Sequence, residues 1–143
     1  MGTSGKAHGK ALSFTLDTQA GSVKDISAYV RSVDGLPPEV ELGDVTGGGA
    51  SGYSYKPGLM KADIKLECDF DDTTDAAWDV VKSYLSDTAT RSFVYCPAGT
   101  TSGYVKISGE LRIKKVSLPA KIADALIFTV EAVSDGTIAI GTN

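Results

Sequence analysis

The chain has 143 residues, of which 42% are hydrophobic and 22% charged, and its formal net charge is −4. That length suits one domain built around one core. The longest apolar run, residues 125–128, is far shorter than the ~20 residues that span a bilayer, and the acidic balance argues against binding nucleic acid by neutralising phosphates. The first ten residues lack an apolar signal segment and only two cysteines are present, so we expect a soluble protein of a reducing, intracellular compartment.

The N-terminal part predicts an arm followed by strands. Residues 1–11 are small and polar with no acidic side chain, which is typical of a flexible arm, and residues 12–143 are expected to form the single domain. Leu12, Phe14 and Leu16 alternate with polar residues, as in a half-buried strand. Residues 23–33 fit either a short helical turn capped by Asp25 or Ser27 or a second strand, and propensity alone does not decide between them.

A glycine-rich stretch, residues 36–60, shows neither a strand nor a helix pattern. It reads LPPEVELGDVTGGGASGYSYKPGLM. A phosphate-binding loop needs a lysine followed by serine or threonine and a helix start behind its glycines, and the run VTGGGASG has neither. We therefore predict a long inter-strand loop over residues 36–57 that binds no nucleotide.

The rest of the chain predicts strands around one helix. Residues 60–69 alternate strictly between apolar and charged side chains, which indicates a strand with one packed face. Residues 72–87 place apolar side chains at helical spacing after possible caps at Asp72, Thr73 or Thr74, so we expect a helix there. Its packing face is expected to contain Ala77, Trp78, Val81, Tyr84 and Leu85.

Three more strands follow the helix in this interpretation. They lie just before Pro97, over residues 105–114 and, as the final strand, over residues 126–132. The order of elements predicts a mainly β (α+β) protein, an antiparallel β-sandwich or partial barrel with one flanking α-helix, a long inter-strand loop and a flexible N-terminal arm.

Groups that could carry chemistry are few. His8 lies in the predicted arm, which excludes a histidine base or a multi-histidine metal site. Cys68 and Cys96 have no cationic neighbour to lower their pKa and are interpreted as core thiols. Enzymatic activity would have to depend on carboxylates such as Asp63 and Glu67, or on Glu110. We predict no enzyme and no catalytic, cofactor or metal site.

A cluster of acids precedes the predicted helix. It contains Asp69, Asp71, Asp72 and Asp75. The cluster lacks the internal glycine and the closing glutamate of a calcium-binding loop, so it is interpreted as helix capping.

Three segments carry a resemblance to a known family. They are KDISAYVRSVDGLPPEVELGDVT at residues 24–46, YKPGL at residues 55–59 and DFDDTTDAAW at residues 69–78. In these segments the chain resembles the major tail proteins, or tail tube proteins, of long-tailed bacteriophages. In that family six copies form a ring, and rings stack into a hollow tube around a tape-measure protein; DNA later passes through the tube. The chain departs from the family at GGGASG, where bulkier residues are expected, and at Pro38, where glycine is common.

The resemblance implies a structural virion protein of the tail, without catalytic residues, assembled in the bacterial cytoplasm. It implies homo-hexameric rings, contacts with the tape-measure, tail terminator and distal tail proteins, DNA contact only in transit, and no membrane partner. Residues 36–57 and the arm are expected to reach neighbouring subunits. The expected contact residues in the loop are Val40, Leu42, Val45, Gly47, Gly48, Gly49, Tyr53 and Tyr55. The candidates for lining the lumen are Lys61, Asp63, Lys65, Glu67, Lys106, Glu110 and Arg112.

Two other functions stay open at this point. A ring-forming adaptor of the tail end, or a secretion-tube relative, would use a similar fold, and the adaptor would stop at single rings. A small-ligand-binding β domain would need a concave apolar pocket with a few polar anchors, and no feature of the sequence marks one.

Overall fold

The computed structural model describes residues 11–49, 51–120 and 125–143. Of the predicted arm, only Ala11 lies among the described residues. The strands are β1 (Ser13–Asp17), β2 (Val23–Asp25), β3 (Val30–Asp34), β4 (Glu39–Asp44), β5 (Tyr55–Lys61), β6 (Asp63–Asp69), β7 (Arg91–Cys96), β8 (Val105–Ser117), β9 (Ile127–Ser134) and β10 (Ala139–Thr142). The helices are α1 (Ala77–Val81) and a short 3-10 helix (Tyr84–Ser86).

Most strands belong to one antiparallel sheet. Its order is β2-β1-β7-β8-β9-β6-β3, with β10 paired to the first part of β8, while β4 and β5 form a separate two-stranded sheet. The two outermost strands, β2 and β3, do not pair with each other, so the sheet is not a closed barrel. The prediction of a mainly β, antiparallel domain with one α-helix is confirmed over the described ranges.

One face of the large sheet forms the core. Phe14 of β1 stacks on Phe93 of β7 with ring centroids 6.0 Å apart. Trp78 of α1 and Phe128 of β9 form a T-shaped pair with ring centroids 5.6 Å apart. Helix α1 therefore covers the apolar side of the sheet, as its sequence predicts, although Leu85 of the expected packing face is exposed. The strict alternation of β6 appears as an alternation of exposed and buried residues.

A buried arginine joins the sheet to the end of the helical segment. The Arg91 side chain is 1% exposed and forms a bidentate pair with the Asp87 carboxylate at 2.8 and 2.9 Å. Its Nη1 also donates to the carbonyl oxygens of Val80 and Asp17 at 2.6 and 3.2 Å, and its Nη2 donates to Ser83 Oγ at 3.3 Å. A charge removed from water is tolerated only when it is paired and hydrogen-bonded in this way.

The structure decides the open prediction for residues 23–33 and corrects the prediction of the final strand. Residues 23–33, left open above, contain β2 and β3, joined by a turn in which Asp25 Oδ1 accepts from the backbone N–H of Ser27 at 3.0 Å. The final strand is not the one over residues 126–132, because β10 follows it and pairs with β8. Its four residues are exposed, so β10 lacks the burial alternation on which sequence analysis depends.

The helix predicted over residues 72–87 is shorter than expected. Asp71 Oδ1 accepts from the backbone N–H of Thr73 at 2.8 Å, and Asp75 has a positive φ of 67°. These conformations are turns, so α1 begins only after Ala76, which provides no side-chain cap. Helix capping by the acid cluster is therefore wrong; Asp71 instead stabilises the preceding turn.

Candidate assembly surfaces

The stretch predicted to be an irregular loop is a β-hairpin, so that prediction is wrong. Strands β4 and β5 continue the β3–β6 pair past a break at residues 35–38 and at Ala62. Val40 lies opposite Met60, Leu42 opposite Pro57 and Asp44 opposite Tyr55. The prolines and glycines hide this strand pattern in the sequence, because they are rare inside sheets except at edges and bulges.

The hairpin has one apolar and one charged face. Because alternate residues of a strand share a face, Val40, Leu42 and Asp44 lie together with their respective partners Met60, Pro57 and Tyr55. This face is apolar except for Asp44 at the end of β4. The opposite face carries the charged side chains Glu39, Glu41, Lys56 and Lys61. All six residues of β4 are exposed, and Leu42 has 62% of its surface in contact with solvent.

Polar contacts link the two sides of the hairpin near its tip. Asp44 Oδ1 accepts from the backbone N–H of Thr46 at 2.9 Å, and the Thr46 hydroxyl accepts from the backbone N–H of Ser54 at 2.8 Å. The Thr46 hydroxyl and backbone N–H lower the pKa of the Asp44 carboxyl. Of the expected contact residues here, Val45 is 51% and Tyr53 79% exposed, and Gly47, Gly48 and Gly49 are also exposed.

The base of the hairpin is held mainly on the β5 side. The backbone N–H of Ala62 donates to the Ser134 hydroxyl at 2.9 Å, and the Ala62 carbonyl accepts from the backbone N–H of Ser134 at 2.9 Å. On the β3 side, Gly35 has φ 91°, and a Cβ added there would lie 1.8 Å from the Asp63 carbonyl oxygen. Gly35 therefore allows the two strands to approach closely at the base.

The predicted lumen residues lie on the polar face of the sheet, opposite the core. Asp63, Lys65 and Glu67 are exposed along β6, while Lys106 and Glu110 of β8 are partly buried. Lys61 Nζ lies 3.9 Å from Asp63 Oδ2, on this same side, and Arg112 of β8 is exposed and pairs with Asp135 at 2.7 Å. Glu110 accepts hydrogen bonds from the hydroxyls of Thr90 and Ser92.

Sequence reasoning missed the residues that connect the charged side chains of β6 with those of β8. Strand β9 lies between β6 and β8, so Lys65 faces Glu131, which in turn faces Lys115. Asp34 of β3 lies on the other side of Lys65. Opposite charges thus alternate across four strands. The sequence contains each charge, but only the strand order shows that they form one row.

Neither cysteine is placed to react. Cys68 and Cys96 are both buried and free, and burial raises the pKa of the Cys68 thiol to about 12. Their interpretation as core thiols is confirmed. Among the described residues, no group of three or more histidine, cysteine and acidic side chains could hold a metal ion, and no helix there is long and apolar enough to cross a membrane.

Several solved structures share this fold at low sequence identity. No family model and no curated protein matches the chain. Among solved structures, a chain from the tail of an empty gene transfer agent particle, determined with C6 symmetry, has a TM-score of 0.75 at 18% identity. The match covers 96% of this chain and 100% of that one.

Two further structures have a similar fold. The SPP1 tail tube matches with a TM-score of 0.70 at 13% identity, covering 96% of this chain and 80% of that one. The tube-terminating cap of the anti-feeding prophage matches with a TM-score of 0.70 at 14% identity, covering 96% and 92%. The chain therefore has the fold of tail tube proteins over nearly its whole length, and the resemblance found in the sequence is confirmed.

Proposed function

We propose that this chain is a tail tube protein, a structural virion protein whose copies form hexameric rings that stack into a hollow phage tail. The observation that carries the proposal is the full-length likeness to a chain of a particle tail with C6 symmetry. Tape-measure, tail terminator and distal tail proteins are its proposed partners, and DNA contacts it only in transit.

The exposed hairpin supports self-assembly. A monomeric soluble protein rarely leaves a contiguous apolar face in water. The apolar face of β4 and β5 is such a surface, and Val45 and Tyr53 are also exposed near the tip of the same hairpin. We assign this face, with the contact residues predicted above, to a neighbouring subunit.

The polar sheet face is the proposed lining of the lumen. Its alternating row from Asp34 through Lys65 and Glu131 to Lys115 keeps the face charged but nearly balanced. Such a surface holds water and offers DNA no continuous basic patch, so a phosphate backbone would slide along it without binding tightly.

Electron microscopy of the concentrated, purified protein tests the function. We expect hollow tubes whose end-on views show sixfold rings. A protein that remains monomeric at all concentrations would contradict the proposal.

Hydrogen exchange tests the role of the hairpin. Residues 43–55 should exchange fast in the monomer and slowly in the tube, because their hydrogen bonds are exposed until a neighbour covers them. The N-terminal arm, residues 1–11, is expected to behave in the same way. Equal protection in both states would rule out the assembly role of these segments.

Charge reversal tests the lumen assignment. A variant with Lys61→Glu, Lys65→Glu and Lys106→Glu should still form tubes, because these three side chains are assigned to the bore and not to a subunit contact. Loss of rings in this variant would place these lysines in subunit contacts.

A second candidate is a ring-forming adaptor or cap at the tube end. It is favoured by one observation, the likeness to a cap that terminates a tube. Microscopy separates the two functions, since an adaptor or cap forms single rings and a tube protein polymerises.

A further inference from the structure

Two unpaired strand edges of this chain carry opposite charge. Within the described part of the chain, strand β4 pairs with β5 alone, and its sequence EVELGD has three carboxylates and no cation. Strand β8 pairs with β7 only up to Leu111. Along residues 112–117, RIKKVS, it pairs with β9 on one side, and no strand of the described ranges pairs with the other side. This segment has three cations and no carboxylate.

The two edges also match in length and in apolar content. Each is six residues long. Val40 and Leu42 interrupt the acids of β4, and Ile113 and Val116 interrupt the cations of β8. Added strands gain affinity from the backbone ladder and specificity from side chains on alternate positions.

The edges point away from each other within one copy. Asp63, Val133 and Arg112 lie in one row across β6, β9 and β8. From this row, the hairpin extends to one side, beginning at Lys61. Residues 113–117 of β8 extend to the other side, beside β9 and toward Thr129. One copy therefore cannot pair its own β4 with its own β8, but two copies arranged head to tail can.

We propose that β4 of one copy adds as a strand to residues 112–117 of β8 in a second copy. The contact is heterologous, so it can repeat around a ring or along a tube. The register shift of β8 between Ile113 and Lys115 leaves both Lys114 and Lys115 exposed, so Glu39 and Glu41 face them in this arrangement. Arg112 keeps its own partner, Asp135, at 2.7 Å. This inference rests on the proposed function, because it assumes that copies of the chain assemble.

Lysines on unpaired edges also prevent edge-to-edge association, and this is the competing explanation for Lys114 and Lys115. The two explanations differ in their consequence for assembly. If the lysines only protect an edge, replacing them with acids keeps the protection and leaves the tubes intact. If they receive β4, the same change places like charges opposite each other.

A charge-swap experiment decides between them. The variant Glu39→Lys/Glu41→Lys and the variant Lys114→Glu/Lys115→Glu should each lower the assembled fraction about tenfold or more, measured by sedimentation and microscopy. The variant with all four changes should assemble again, because the charges are opposite once more. Circular dichroism should show native folding in all three, since these four side chains are exposed. Double variants that assemble like the wild type, or a quadruple variant that does not recover, would overturn the pairing.

Cross-linking provides a readout that does not depend on charge. A mixture of Glu41→Cys and Lys114→Cys proteins, allowed to assemble and then oxidised, should give a disulfide-linked dimer. The control mixture of Glu41→Cys with Lys106→Cys should give none, and Cys68 and Cys96 are buried in both mixtures. Wild-type tubes without the specific dimer would disprove the edge pairing alone. Failure of the wild type to assemble would instead disprove the proposed function.

Discussion

Strands β5 and β6 follow each other in the chain, each has seven residues, and they have opposite relations to water. In β6, exposed and buried residues alternate, whereas β5 has no buried residue. The difference arises from strand partners, because β6 lies between β3 and β9 and covers the core, while β5 pairs with β4 alone among the strands that the structure describes. Thus the sheet should be stable in the single subunit, and the hairpin should gain its burial from a neighbour.

The largest expected effect is on the sheet side of this comparison. Arg91→Met should lower the free energy of unfolding by about 3–5 kcal/mol, because it leaves the Asp87 carboxylate and the Val80 carbonyl without their buried partner. Arg31→Met is the matched control, since Arg31 pairs with Asp69 at 3.5 Å and both side chains are half exposed. It should change stability by less than about 1 kcal/mol. Urea unfolding measures the free energy of unfolding of both variants. Equal losses would show that the buried Arg91 pair stabilises the fold no more than an exposed ion pair.

The junction between the two regions gives the next largest effect. Gly35→Ala should destabilise by about 3 kcal/mol or more, because the new Cβ would overlap the Asp63 carbonyl oxygen in addition to the positive φ. Gly21→Ala separates the two causes, because Gly21 has the same φ of 91° but open space around it. It should cost only about 1–2 kcal/mol. A similar loss at both positions would mean that the base of the hairpin can relax.

The two strands also show what the sequence can and cannot predict. Strand β6 was predicted correctly because one-sided burial imposes a period of two on its residues. The hairpin was missed because both its faces are exposed in the subunit, so no core constrains Pro57 or Gly58. The charged row through Glu131 was missed for a different reason, since strand order depends on contacts distant in the chain. Residues 1–10 lie outside the described residues, so the arm stays a prediction.

On the hairpin side, a large apolar truncation should have little effect on the single subunit. Leu42→Ala should change the unfolding free energy of the monomer by less than about 0.5 kcal/mol, because Leu42 is 62% exposed. Leu66→Ala in β6 should cost about 2–5 kcal/mol, because Leu66 is buried. The order of the two effects should reverse in assembly. The Leu42→Ala protein should be fully folded but should need a higher protein concentration to form tubes. An unchanged threshold would mean that this face of the hairpin is not covered.

The smallest expected effect concerns pH and the hairpin tip. Hydrogen bonds from the Thr46 hydroxyl and backbone N–H lower the pKa of Asp44 below its ordinary value of 3.8, so the folded tip favours the carboxylate. The contribution of this contact is therefore complete above pH 3.8 and disappears as the pH falls through the folded pKa. The Thr46 amide signal in an NMR titration should follow this transition, and Asp44→Asn should abolish it. Because Asp44 is fully exposed, the sheet should not sense the change, and a simultaneous shift of core signals would show that the tip and the sheet are one cooperative unit.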